Sequence, residues 1–281
     1  MIYFLSDAHL GSKAFADGEA HQQRVVSLLN QMSKDASAIY MLGDMFDFWY
    51  EYLWGMENGE WRIPKSKRQF APFLQCLKEL TAKGIEVHFF TGNHDMWTFG
   101  WLERATGVIV HRGIFETELH GKKVLMAHGD GLVPKRWTMN NAQCTMSREQ
   151  RKKIKAFIRL QKVFHNPIAQ TLFRCMPPCI GDAMGYAWAK HSRLKDLQHP
   201  CGYKGENEEE LVLWAKEMEN GERRMENGYD YYIFGHRHIE LDLMINRHAR
   251  VILLGDLFRT FTYAQMDEKG DIQLCIQEQN N

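Results

Sequence analysis

The chain has 281 residues, 44% hydrophobic and 25% charged, which suits a globular protein with a sizeable buried core. Basic and acidic residues both number 35, so net charge singles out no partner, no nucleic acid among them, and any steering must come from local clusters. No run approaches the ~18 consecutive apolar residues that span a bilayer.

In chain order, the opening MIYFLSDAHL lacks the basic start and cleavage pattern of a secretory signal and reads as a first strand over 2–7. An amphipathic helix is expected over 20–33, a second strand over 38–44, a helix over 65–83 ending at Gly84, and a third strand over 85–93. GIFETEL and KVLMAHGD, joined by His120-Gly121, form a hairpin pattern. Residues 132–205 break the rhythm with helical periodicity near 146–163, 167–176 and 181–197. A helix near 207–223 then leads to strands at 229–236, 240–245, 249–256 and 261–266, expected as a mostly antiparallel meander. The whole reads as one α/β sandwich of two sheets, a single domain over 1–281. Its core would be 1–131 and 206–281, with a helical insertion over 132–205.

Six cysteines (76, 144, 175, 179, 201 and 275) form no CxxC pair, so buried free thiols are expected over a disulfide framework or zinc site, and the cytoplasm is the expected compartment. Five short motifs each fall at a strand end: Asp7-Ala8-His9, Gly43-Asp44-Met45-Phe46-Asp47, Gly92-Asn93-His94-Asp95, His128-Gly129-Asp130 and Gly235-His236-Arg237-His238. Strand ends gather sequence-distant residues at one sheet edge, where α/β proteins place their ligand sites. The motifs offer oxygen and imidazole donors without a thiolate, which suits divalent manganese, iron or zinc better than a structural zinc site. Asp7, His9, Asp44, Asn93, His128, His236 and His238 are too many ligands for one ion but suit two sharing a carboxylate, about 3.5–4 Å apart, as in sites that clamp phosphate. We expect two such ions, manganese first, with iron, zinc or magnesium as alternatives.

In this order the five motifs resemble the calcineurin-like metallophosphoesterase family, over residues 7 to 238. The resemblance implies that Asp7, His9, Asp44 and His238 hold one metal, and that Asp44 bridges to a second held by Asn93, His128 and His236. It further implies that His94 stabilises developing charge or protonates the leaving group, that Asp95 orients His94, and that Asp47 supports the ligands from behind.

Within the insertion, His165-Asn166-Pro167-Ile168-Ala169-Gln170-Thr171-Leu172-Phe173 is similar to the helical lid of the UDP-2,3-diacylglucosamine diphosphatases of lipid A biosynthesis. Tyr40–Asp47 and Val124–Asp130 are similar to that family too. This resemblance implies hydrolysis of a UDP-lipid pyrophosphate to UMP and a lipid monosaccharide phosphate, at the cytoplasmic side of the inner membrane. Two departures stand out: His94 replaces the Arg common there, and the run Gly255–Tyr263 lacks a His found near that point. Arg148, Arg151, Lys152 and Arg159 recur at helical spacing and could offset diphosphate charge, with Lys135 and Arg136 nearby. Gln170 lies in the lid match. Phe157, Leu160, Phe164, Leu172, Phe173, Met176, Met184 and Trp188 offer apolar surface for acyl chains or simply pack the helices. Trp97, Trp101 and Trp137 are candidates for peripheral membrane contact. The alternatives are a metallophosphoesterase for a soluble phosphodiester, nucleotide or phosphoprotein, and a non-catalytic scaffold.

Overall fold

The computed structural model describes residues 1–52, 56–57, 60–61, 65–138, 147–164, 166–198, 202–221 and 228–277, with the backbone alone at 56, 57, 60, 61, 65, 66 and 190–198. His165, Cys144 and Cys201 lie outside the described residues.

The elements run β1 (Ile2–Leu5), α1 (Gly18–Met32), β2 (Ala38–Met41), a small hairpin of β3 (Met56–Glu57) and β4 (Glu60–Trp61), α2 (Ala71–Ala82), β5 (Glu86–Phe90), α3 (Trp101–Thr106) and β6 (Ile109–His111). They continue with β7 (Phe115–Leu119), β8 (Lys122–Ala127), α4 (Lys135–Thr138), α5 (Arg148–Phe164), α6 (Pro167–Arg174), α7 (Pro178–Gln198) and α8 (Glu210–Glu219). The last strands are β9 (Tyr231–Phe234), β10 (Glu240–Met244), β11 (Arg250–Leu254), β12 (Thr262–Met266) and β13 (Ile272–Ile276).

Two sheets face each other, as the sequence suggested. One has the order β13-β12-β1-β2-β5-β6 and the other β10-β11-β9-β8-β7. Strand periodicity sorts their side chains. Ile2, Phe4, Ala38 and Tyr40 turn inward against Val124, Met126, Ile233 and Ile252 of the second sheet. Tyr3, Leu5, Ile39 and Met41 turn outward to meet Val25 and Leu29 of α1 and Phe73 and Leu77 of α2. Leu211, Val212 and Ala215 of α8 cover the outer face of the second sheet. Because both faces of the central strands are covered, they are apolar throughout.

Several expectations need correction. The last strands are not a meander: β9 runs parallel to both β8 and β11, and β12 crosses to pair antiparallel with β1 in the other sheet. The helix expected over 65–83 is a 3₁₀ turn at Lys65–Phe70 followed by α2, because Pro72, with no amide hydrogen and a fixed φ, belongs in a helix's first turn and not its interior. Helix α3 was not expected, and its N-terminal end has no local side-chain cap. The buried carboxylate of Glu51 instead accepts the amides of Phe99, Trp101 and Leu102. The β7–β8 hairpin is present, with His120 and Gly121 both at positive φ as a tight two-residue turn requires. Of the described cysteines only Cys76 is fully buried; Cys175 and Cys179 are exposed. Trp101 and Trp137 are buried, and Trp97 is partly so, packed between Tyr50 and Phe173.

The helices α5 to α7 stand over the strand ends. No side chain of α5 is buried. The layer is fastened in part through α7, where Lys67, 1% exposed, meets Asp182 at 3.4 Å and Tyr52 donates to the same carboxylate at 3.1 Å. Gly181 and Gly185 on α7 let it lie directly on Tyr52 and Phe48, which occupy the space their side chains would fill.

Candidate metal centre

All seven predicted ligands converge beyond the strand ends. Asp7 and His9 follow β1, Asp44 follows β2, Asn93 follows β5, His128 follows β8, and His236 and His238 follow β9. The backbone there is unusual. Asp7, His9, Asp44, His236 and His238 all adopt left-handed φ between 45° and 66°, leaving only His120 and Phe261 as other non-glycine cases among the described residues. Such conformations cost of order 1–3 kcal/mol each and persist where the surroundings enforce them, commonly at functional sites. The enforcement is visible in the backbone: Asp7 donates its amide to Gly43 O at 3.0 Å, His9 to Asp44 O at 3.0 Å, and Gly235 to His128 O at 3.0 Å. Gly92 and Gly235 serve by their lack of a side chain. A Cβ on Gly92 would strike Asp44 Oδ1, and one on Gly235 would lie 2.7 Å from Asp7 Oδ2.

Two ligand groups result. In the first, His238 Nε2 lies 3.2 Å from Asp7 Oδ1 and 3.3 Å from His9 Nε2. In the second, His128 Nε2 lies 3.3 Å from Asp44 Oδ2 and 3.3 Å from Asn93 Oδ1, with His236 completing the set. The rings are held so that the right nitrogen faces in. His128 Nδ1 donates to Leu42 O at 2.7 Å, which fixes the tautomer and leaves Nε2 a lone pair for a cation. Buried imidazoles and carboxylates crowded at these distances, without a thiolate, are a donor set that fits divalent metal ions.

The charged groups of the cluster perturb one another strongly. Burial would raise Asp44, but the adjoining His128 and His94 hold it well below the usual carboxylate range. Burial likewise opposes protonation of His128, yet Asp44 raises it well above an ordinary imidazole. His238 is pushed up to about 10, burial being outweighed by Asp7 and Asp256. Burial and the neighbouring His128 drive His236 well below the ordinary range.

His94 and Asp47 join a further group with His9, in which one donor atom from each lies within 4.8 Å of the others. His94 Nδ1 donates to the backbone carbonyl of Asp47 at 2.8 Å, and its Nε2 lies 4.0 Å from Asp44 Oδ2. The structure corrects one expectation here: Asp95 does not orient the His94 ring. Its carboxylate accepts the amides of Gly92 (2.7 Å), Asp44 (3.2 Å), Met45 (2.8 Å) and Phe46 (3.3 Å), tying two ligand loops together.

Two supporting residues were not foreseen. Asp256 Oδ2 lies 3.3 Å from His238 Nδ1, and its other oxygen accepts the amides of Phe258, Arg259 and Thr260. Gly255-Asp256 repeats the strand-end Gly-Asp pattern of Gly43-Asp44, which was the available signal. Glu209, fully buried, receives Arg237 Nε at 2.6 Å and so anchors the loop between His236 and His238.

Two cavities flank the centre. One, of about 510 Å³, is bordered by His128 and Gly92 and reaches Arg112, Gln170 and Arg174. The other, of about 110 Å³, is bordered by Asn93, His94 and Asp47 and lined by Phe164, Phe173, Met184 and Trp188. Of the lid residues proposed for substrate, Gln170 lines the first, whereas Arg148, Arg151 and Arg159 on α5 line neither.

Comparison with known proteins agrees with this geometry. The family model described as calcineurin-like phosphoesterase matches residues 1–240. A protein of Porphyromonas gingivalis named UDP-2,3-diacylglucosamine hydrolase is 34% identical over 276 residues, covering 95% of this chain and 94% of its own length. One of the same name from Haemophilus influenzae is 24% identical over 96% of each. Among solved structures, an archaeal phosphodiesterase aligns over 98% of this chain at TM-score 0.41 and 12% identity, a likeness too slight to bear on function. The chain belongs to the calcineurin-like phosphoesterase family.

Proposed function

We propose that this protein hydrolyses the pyrophosphate of UDP-2,3-diacylglucosamine to UMP and 2,3-diacylglucosamine 1-phosphate in lipid A biosynthesis. The observation that carries this reading is the apolar crevice beside His94, whose walls Phe164, Phe173, Met184 and Trp188 come from the lid helices. A phosphate ester with lipid chains needs such a wall next to the reacting phosphorus; a soluble nucleotide does not. The near full-length match to the Porphyromonas gingivalis hydrolase supports the same substrate.

In this reading Asp7, His9, Asp44 and His238 hold one divalent ion and Asp44, Asn93, His128 and His236 the other, manganese being our first expectation. When bound, such a pair supplies Lewis-acid polarisation of phosphoryl oxygens and of a nucleophilic water. His94 points Nε2 toward the reacting phosphate because Asp47 O engages Nδ1, and it stabilises developing charge or protonates the departing phosphate. Asp95 acts as a positioning residue that holds the ligand loops. The insertion expected over 132–205, through its described helices α4 to α7, acts as a lid on a single domain.

The lid also supports peripheral membrane contact on the cytoplasmic face. Phe157, Leu160, Val163, Ile168, Leu172, Ile180, Met184 and Trp188 of α5–α7 are all exposed, and α5 carries exposed Lys152, Lys153, Arg159 and Lys162 for an anionic surface. No helix among the described residues is long and apolar enough to cross a membrane.

The test is direct: incubate the Mn²⁺-loaded protein with UDP-2,3-diacylglucosamine and measure UMP. Release of UMP is expected. Its absence, while a soluble phosphodiester is turned over, would select the alternative substrate class.

A further inference from the structure

The two cavities differ in the chemistry they can bind. The small crevice meets Asp47, Asn93 and His94 at the metal centre, has aromatic and aliphatic walls elsewhere, and contains no Arg or Lys. The larger cavity, on the His128 side, contains Arg112 and Arg174 and lies within the ~300–1,000 Å³ range of small-molecule pockets. Met96 lines both and stands between them.

Arg174, the last residue of α6, sits with its guanidinium 4.2 Å from the ring centre of Phe99, another wall of the larger cavity. Its Nε is buried and has no hydrogen-bond partner, and no carboxylate pairs with it among the described residues. A guanidinium in a cavity wall with no carboxylate beside it favours an anionic ligand, which would meet its outward-facing N–H groups. Arg112 is aimed by its bonds to Thr98 O (2.9 Å) and Thr98 Oγ1 (3.0 Å) and by the carboxylate of Glu103 at 3.5 Å, which offsets part of its charge. Together they offer cationic donors beside an aromatic plane, the combination that recognises a nucleotide's phosphate and base.

We propose that this cavity receives the nucleotide half of the substrate, a pyrimidine nucleoside phosphate, with Arg174 as its principal recognition residue and Arg112 as its second. The assignment rests on the proposed UDP-lipid substrate and adds its orientation: nucleotide on the His128 side, lipid sugar on the His94 side, and the scissile anhydride between them.

Calorimetry on the Mn²⁺-loaded protein tests it with two probes, UMP alone and 2,3-diacylglucosamine 1-phosphate in mixed micelles. Arg174→Gln is expected to weaken UMP at least tenfold while changing the lipid phosphate less than threefold. Arg112→Gln should act in the same direction, and Trp188→Ala in the crevice should show the opposite preference. Arg174→Lys, which keeps the charge but loses the planar fork, gives an intermediate loss and serves if the Gln variant fails to fold. Unchanged UMP affinity in the Arg174 variants, a larger loss for the lipid phosphate than for UMP, or no UMP binding by the unaltered protein would each overturn the proposal. Failure of the substrate reading looks different: no UMP released from the UDP-lipid, with Arg174-dependent UMP binding intact.

Discussion

His128 Nε2 lies 3.3 Å from Asp44 Oδ2, and each changes the other's charge. Despite complete burial, Asp44 stays ionised well below the normal carboxylate range, and His128 holds a proton well above the normal imidazole range. A divalent cation held by the second ligand group would compete with a proton for the same carboxylate and imidazole nitrogen.

Replacing Asp44 by Ala should therefore remove metal binding and hydrolysis together. We expect bound metal, measured by plasma emission spectrometry, to fall below one ion per chain and turnover to drop at least a hundredfold. Chelation of the unaltered protein should abolish activity and Mn²⁺ should restore it; in Asp44→Ala, Mn²⁺ should not.

His94→Ala should behave differently, because His94 is held by Asp47 O and stands outside the two groups of predicted ligands, meeting only His9 of them in the third group. Metal content should stay near that of the parent while kcat falls about 10²–10⁴-fold, the usual worth of a general acid. Loss of metal from this variant would show that His94 is a ligand.

The Lys67–Asp182 pair should decide how the lid is fastened. Burial lowers the Lys67 pKa, and the ammonium has its carboxylate at 3.4 Å as compensation. Lys67→Met alone strands a buried carboxylate and should cost about 3–5 kcal/mol in denaturant unfolding. Lys67→Met with Asp182→Leu should recover most of that loss, since well-packed apolar replacements of buried pairs are often neutral. Equal destabilisation by single and double variants would argue against a coupled pair.

The imidazoles of His88 and His111 meet at 2.8 Å beside the end of β6. Burial and the adjacent His88 lower the His111 pKa to about 4, against an ordinary 6.5, and burial lowers His88 as well. A depressed folded-state value means the unfolded chain binds the proton first. Stability from this pair is thus complete above pH 6.5 and lost as pH falls toward 4. The melting temperature of metal-free protein should decline across that window, and less steeply in His111→Phe. Parallel curves for the two proteins would refute the assignment.

What the sequence determined was the donor set and its place at strand ends. Asp7, His9, Asp44, Asn93, His128, His236 and His238 were legible because each belongs to a short motif beside an apolar run, and such local patterns depend on neighbours a few residues away. The two-sheet sandwich was legible for the same reason. It took the folded chain to reveal that Asp95 braces backbone amides instead of the His94 ring, that Asp256 supports His238, and that Glu51 caps α3 from a distance. The fold also decided that Arg112 and Arg174, not Arg148, Arg151 and Arg159, reach the cavities. Hydrogen-bond partners and cavity walls come from residues tens to hundreds of positions apart, and no periodicity in one stretch of chain records which of them will meet.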